Sequence, residues 1–429
     1  MLIKSGSSAQ LLAALLFTTG VWSGLCSEAA PLTEEECVVF AKKVEEGIQQ
    51  GDATVVNNAF DIQGFLDRAS AGLGLNEKQR KELASGPVLA NGDLIGKQLV
   101  GQVATGAQYK FLRVREVDRE MCALFRISRV GTVNYQLMYL SRGAKGITIT
   151  DLFSYETGEP ISVPMRRLFT QIARRNGWLG NNKQMGNEYV RNMETMMFMT
   201  RALQNGEPEK VLLFYKELPK SVKRERMFML LRLRAAQRVG KAECLKALKD
   251  FEDTFGKGHG ALLPLFAAAF DAGLHDKALE LLMALEKEIG PDAYIHAYRS
   301  SVWTSKNNAR QAMDWANKAI ELEPDCLEGY ASLLTVLLKL NRFDEAKDLM
   351  LKVERNDLGA FDDLKEHEEF AGFVASPEYQ KWLEQRPKLK RDDISEIPSE
   401  VPGAPSSPLK KARKSKRSTP SENAAPIIK

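Results

Sequence analysis

A chain that repeats itself at a fixed interval has few ways to fold, and this one repeats over residues 225–358. Cys244, Ala278, Ala312 and Ala346 follow one another at intervals of 34 residues, and a common apolar frame surrounds them. With the small residue as position 20 of a 34-residue unit, the last unit has Tyr330 at 4, Leu333 at 7, Leu337 at 11, Phe343 at 17, Met350 at 24 and Val353 at 27. The preceding unit has Trp303 at 11, Ala316 and Ala319 at 24 and 27, and Pro324 at 32; the one before has Leu262, Leu265, Gly273, Leu282 and Leu285. Positions 4, 7, 8 and 11 share one helical face and 17, 20, 24 and 27 share another, so each unit predicts two amphipathic helices on a tight turn. Position 20 is small because the two helices cross closely there.

The period and the order of small, aromatic and proline positions resemble the tetratricopeptide repeat. His296 at position 4, Ser300 at position 8 and Leu358 in place of the terminal proline depart from its pattern and blur the helix edges. The resemblance implies a superhelix over 187–358, with a degenerate first hairpin (187–203 and 207–217) and four better units beginning near Glu225, His259, Ala293 and Leu327. It also implies a concave face, lined by the first helix of each pair, that contacts a partner protein or peptide. The residues at the contact positions include Leu263, Ala267, Phe270, Tyr294, Tyr298, Ser301, Glu328, Ser332 and Thr335. The Lys and Asn of the carboxylate-clamping variant are replaced by Ala, Ser, Tyr and Glu. Such a face suits an extended or helical segment through apolar and hydroxyl contacts; packing of Tyr294 and Tyr298 between neighbouring units is the competing reading.

Residues 1–29 carry the marks of a secretory signal: Lys4, a short apolar core over 11–21, and Ser27-Glu28-Ala29 as small residues for cleavage. The expectation is an exported, periplasmic or secreted protein. An uncleaved N-terminal membrane anchor is the alternative, and lipidation at Cys26 ranks below both. Cys37, Cys122, Cys244 and Cys326 remain, with no CxxC or Cys/His spacing, so no metal and no cofactor is expected. Four buried thiols is the preferred reading, ahead of a Cys37–Cys122 bridge. The net charge of +4 hides an asymmetry: from Arg386 onward eleven basic residues face five acidic ones, while residues 30–385 carry about −2. The body therefore gives no reason to expect a specific nucleic-acid contact.

Residues 33–174 predict a separate α+β domain. Thr33 and Glu36 form a capping box ahead of Val38, Val39, Ala41, Val44 and Ile48 at helical spacing. Further helices are expected at 55–69, 76–83 and 92–103. Strands follow at 109–116, 121–130, 134–141 and 146–154, giving a four-stranded antiparallel meander with helices on one face. This order resembles NTF2-like or cystatin-like folds, some of which enclose a pocket with a catalytic carboxylate. Tyr109, Arg126, Tyr135, Tyr139 and Asp151 are the groups that such a pocket would use, and core packing is the favoured reading for each. The domain contains no histidine, the commonest general base at neutral pH. No phosphate loop, GxSxG elbow or paired histidines appear anywhere, so the chain reads as non-enzymatic, with no catalytic residue assigned.

A linker is expected at 175–186, after a helix at 165–175, and a capping helix at 359–385 with Phe370, Phe373, Val374, Tyr379 and Trp382 as its apolar set. Residues 386–429 have the composition of a disordered tail. Lys410, Lys411, Arg413, Lys414, Lys416 and Arg417 place six charges within eight positions, which suits anionic lipid or polymer. Two functions follow. One is an exported scaffold that binds a partner protein through the concave repeat surface, with homodimerisation possible for its N-terminal domain. The other is a small-molecule-binding or isomerase-like N-terminal domain tethered by the repeats. A cavity over the sheet favours the second; a filled sheet face favours the first.

Overall fold

The structure is a computed structural model that describes residues 31–85, 94–129, 131–144, 146–179, 192–256, 262–362 and 364–386. Helix α1 (Glu34–Gln49) opens as its sequence dictates. The Thr33 hydroxyl accepts from the Glu36 N–H at 3.2 Å, and the Glu36 carboxylate takes the Thr33 N–H at 2.9 Å. Cys37, Ala41, Val44 and Ile48 then form its fully buried stripe. The expected helix at 55–69 is two helices, α2 (Thr54–Ala59) and α3 (Ile62–Ser70). They part at Phe60, which turns extended to bridge Ile149, while the Asp61 N–H donates to the Ile149 carbonyl at 2.9 Å. Pairing with a sheet edge here overrides helical propensity. Helices α4 (Glu77–Ala84) and α5 (Leu94–Ala104) complete the helical run.

The meander has five strands rather than four: β1 (Gln108–Val117), β2 (Glu120–Arg129), β3 (Thr132–Gly143), β4 (Gly146–Ser154) and the two-residue β5 (Glu159–Pro160), antiparallel and in sequence order. A β5 this short carries no alternation for sequence reading to detect. Asp118 and Arg119 connect β1 to β2 with φ of 50° and 68°, both left-handed. Two consecutive residues of that kind make the turn whose twist matches a hairpin. A register shift between Phe111 and Arg113 puts Leu112 as well as Arg113 toward the later helices.

Behind the sheet come α6 (Ser162–Arg175), the hairpin of α7 (Met193–Gln204) and α8 (Pro208–Glu217), and the short α9 (Lys220–Lys223). Four helix pairs follow: α10 (Arg226–Val239) with α11 (Lys241–Phe255), α12 (Leu262–Asp271) with α13 (His275–Ile289), α14 (Ala293–Ser305) with α15 (Ala309–Leu322), and α16 (Leu327–Lys339) with α17 (Phe343–Arg355). Cys244, Ala278, Ala312 and Ala346 each lie on the second helix of a pair, with at most 1% of their surface exposed. The intervals of 34 residues therefore mark four buried small residues in the same place on successive second helices. At the C-terminal end two 3₁₀ turns, α18 (Ala371–Val374) and α19 (Pro377–Gln385) stand where one helix over 359–385 is expected. Pro377 starts a new helix and forces Ser376 extended, which breaks the run. Phe361, Phe370, Phe373 and Trp382 still cover Met350 and Val353 of α17.

Sheet and helices belong to one compact unit beginning at Leu32. One sheet face, with Tyr109, Ala123, Phe125, Met138 and Ile149, packs on Cys37, Val44 and Ile48 of α1. The opposite face, with Cys122, Leu124, Tyr135 and Leu137, shares a single core with Leu230 and Leu233 of α10, Leu265 and Phe266 of α12, and Ile295 and Val302 of α14. The four cysteines among the described residues are free and buried, Cys37 on the α1 face of the sheet and Cys122 on the opposite one. Arg119 carries a Cβ in left-handed backbone, which costs on the order of 1 kcal/mol there. Arg119→Gly is therefore expected to raise unfolding free energy by at most about 0.5 kcal/mol, after the entropy of the added glycine is deducted, read as a slightly higher urea midpoint at unchanged slope.

Candidate functional site

The strand β2 carries one charge through its buried middle, Arg126, and the side chain has no exposed surface. A guanidinium taken fully out of water survives only among carboxylates. Two loops of the helical array supply them. Asp292, the N-cap of α14, accepts from Arg126 Nη1 at 2.6 Å, from the Tyr135 hydroxyl at 2.7 Å and from the Tyr294 N–H at 3.0 Å. Glu323, at the end of α15, takes Arg126 in a fork at 2.6 and 2.9 Å, and Lys110 Nζ of β1 at 2.8 Å. The guanidinium lies 4.6 Å from the centre of the Tyr294 ring. Asp325 stands 3.8 Å from the same Lys110 at the exposed edge, so two cations from the sheet meet three anions from the helical half.

Electrostatics follow from that arrangement. Burial alone would pull the Arg126 guanidinium down, but Glu323 and Asp292 outweigh it and hold its pKa above the usual value. Burial likewise pushes Glu323 up, and the hydrogen bonds from Arg126 and Lys110 bring it below the ordinary carboxylate range. Further ties run in parallel. The Gly131 N–H donates to Glu328 of α16 at 3.1 Å, the Arg113 guanidinium donates to the Pro291 carbonyl, and Arg234 pairs with Glu156. Gly290 makes the Arg113 contact possible: its φ is +86°, and a Cβ there would collide with the guanidinium.

The residues expected to hold a partner are thus engaged within the chain. Tyr294 and Glu328 are buried and bound to the sheet through Arg126 and Gly131. Leu263 belongs to the shared core, and Phe270 and Tyr298 both stack on Phe266, at 6.1 and 5.1 Å. The hydroxyls of Ser301 and Thr335 donate to carbonyls one turn back, of Ala297 and Ala331, while that of Ser332 reaches Ala297 on the neighbouring inner helix. Lys410, Lys411, Arg413, Lys414, Lys416 and Arg417 lie outside the described residues.

The groups considered for a pocket over the sheet have structural surroundings too. Tyr109 is buried, stacked on Phe125 at 4.9 Å. Arg126 and Tyr135 belong to the ion network. Tyr139 lies under Arg68, 5.6 Å away, and burial pushes its hydroxyl up to about 12. Asp151 accepts from the N–H groups of Leu152 and Ser162, so it caps α6 from another strand; burial raises its pKa and these bonds partly offset the rise. Sequence reading missed Asp292, Glu323 and Lys110. An isolated arginine inside an apolar strand is the signal that asks for them.

No known family model matches the chain, and comparison with curated proteins finds no relative.

Removing the guanidinium leaves the buried Asp292 carboxylate without its cation, while Glu323 keeps only Lys110, so Arg126→Met is expected to cost about 3–5 kcal/mol, seen as a lowered urea midpoint. Acid sensitivity gives the sign of the network. Because Glu323 has a depressed folded pKa, its contribution is complete above the unfolded carboxylate value and disappears as pH falls. Arg126→Met should accordingly flatten the loss of stability between neutral and acidic pH. Glu328 behaves oppositely: burial raises its pKa, so its ionised form at neutral pH works against folding, and the Gly131 bond offsets this only in part. Glu328→Gln keeps an acceptor for Gly131 and should stabilise the protein at pH 7 by roughly 1 kcal/mol, with the gain vanishing in acid.

Proposed function

We propose that this is an exported, non-catalytic interaction protein built on a tetratricopeptide-like array that carries its own NTF2-like sheet in the curve. The observation behind this reading is the fully buried Arg126 between Asp292 and Glu323. It supports an array suited to holding a polypeptide, and one whose inner face is already committed. The buried small residues Cys244, Ala278, Ala312 and Ala346 support the repeat assignment. The packing of Cys122, Leu124, Tyr135 and Leu137 against the helices supports the non-catalytic reading over the isomerase-like one. The signal-like residues 1–29 support export, and the basic stretch 410–417 supports attraction to anionic surfaces; both lie outside the described residues.

With most of the inner face taken up by the sheet, the partner protein docks elsewhere, on the first helical hairpin. Met197 and Phe198 of α7 and Leu213 of α8 expose 62%, 52% and 56% of their surface, and Phe198 stacks on Phe214 at 6.2 Å. Large apolar side chains grouped at the end of an array mark a contact surface. Affinity capture from the native envelope fraction tests this with the full chain as bait. The partner recovered with the wild type is expected to be lost with Phe198→Glu/Leu213→Glu and kept with Met283→Glu, which alters an exposed apolar residue far from the hairpin in sequence. Equal recovery with all three baits would refute the assignment.

A further inference from the structure

The sheet does not fill the whole inner face. Between the β2–β3 hairpin and helices α10, α12 and α14 lies a cleft of about 560 Å³, within the range of small-molecule sites. Its apolar lining comes from both halves of the chain: Ile127 and Val133 from the sheet, Leu263, Phe266, Ala267 and Tyr298 from the helices. Its rim carries Arg129 and Arg234. Arg234 is matched by Glu156, whereas Arg129 donates only to neutral acceptors, the Gln102 carbonyl and the Thr105 hydroxyl, and has no carboxylate partner among the described residues. The cleft therefore combines an aromatic and aliphatic wall with one unmatched positive charge at its mouth.

We propose that this cleft binds a small amphiphilic carboxylate, with the anionic head on Arg129 and the apolar body against Val133, Phe266, Ala267 and Tyr298. A cationic amphiphile would set its charge against Arg129, and a neutral one would leave that charge unanswered. A ligand with several charges would meet Glu156 and an apolar wall that cannot solvate them. Binding here is independent of the partner surface on α7 and α8, because the cleft is complete within one chain.

Isothermal titration calorimetry on the full chain, at low ionic strength and below micelle-forming concentrations, tests the proposal with dodecanoate as probe. One dodecanoate per chain is expected, with dodecanol and dodecyltrimethylammonium at least tenfold weaker. Arg129→Glu should weaken dodecanoate at least tenfold at unchanged melting temperature, since that side chain is exposed. Ala267→Trp should abolish binding by filling the cleft; Arg129→Glu keeps the test decisive where the larger residue disturbs packing. Equal affinity for dodecanoate and dodecanol, binding of many molecules per chain, or an Arg129→Glu variant that binds as the wild type does would each overturn the proposal. Each of these results leaves the capture experiment unaffected, so failure of one reading is distinguishable from failure of the other.

Discussion

One guanidinium with no exposed surface sets the terms for this molecule. Arg126 can stay ionised inside the protein only while Asp292 and Glu323 surround it. Asp292 caps α14 and Glu323 ends α15, so the two loops must come to the sheet at a fixed height and separation. A well-packed apolar contact tolerates some sliding; a forked ion pair does not. The ions set the register between sheet and helices, and the apolar core of Leu124, Tyr135, Leu230 and Phe266 supplies the adhesion.

The two periodicities were legible because each is local. Small residues in a 34-residue phase announce paired helices, and the apolar and β-branched runs at 109–154 announce strands. What local patterns do not encode is the docking of one half on the other, because contacts across more than a hundred residues leave no interval to read. A trace does remain in β2: Cys122 and Leu124 point one way, Ala123, Phe125 and Ile127 the other, and nearly all are fully buried. A strand apolar on both sides is covered on both sides, and Arg126 in its midst asks for anions from whatever does the covering. Leu263, Tyr294 and Glu328 lie on the first helices of their pairs, as expected, but period and family resemblance identify a face, not its occupant.

The occupant changes how the array behaves. Stacked repeats are held by nearest-neighbour contacts, so an isolated array can open at any junction. Here one sheet reaches three successive inner helices, α10, α12 and α14, through a single core, and reaches α16 through the Gly131–Glu328 bond. Opening a junction between the central pairs would have to break sheet contacts as well as helix contacts. The central pairs are thereby joined into one cooperative block. The first hairpin and the C-terminal cap lie outside it: α7 and α8 have their own core with Phe228 and Leu231, and the cap has its own with Met350 and Trp382.

That division assigns different physical tasks to different parts of one repeat. The hydroxyl and aromatic positions expected to meet a ligand serve here to fix helices to each other and to the sheet. Two places escape this use. One is the exposed Met197, Phe198 and Leu213 surface, where the array ends and nothing in the block covers it. The other is the cleft beside Arg129, where hairpin and helices meet without closing. Only the cleft is shaped by the block itself, and a surface held in shape before contact loses less conformational entropy when contact is made; the hairpin surface rests on its own small core instead.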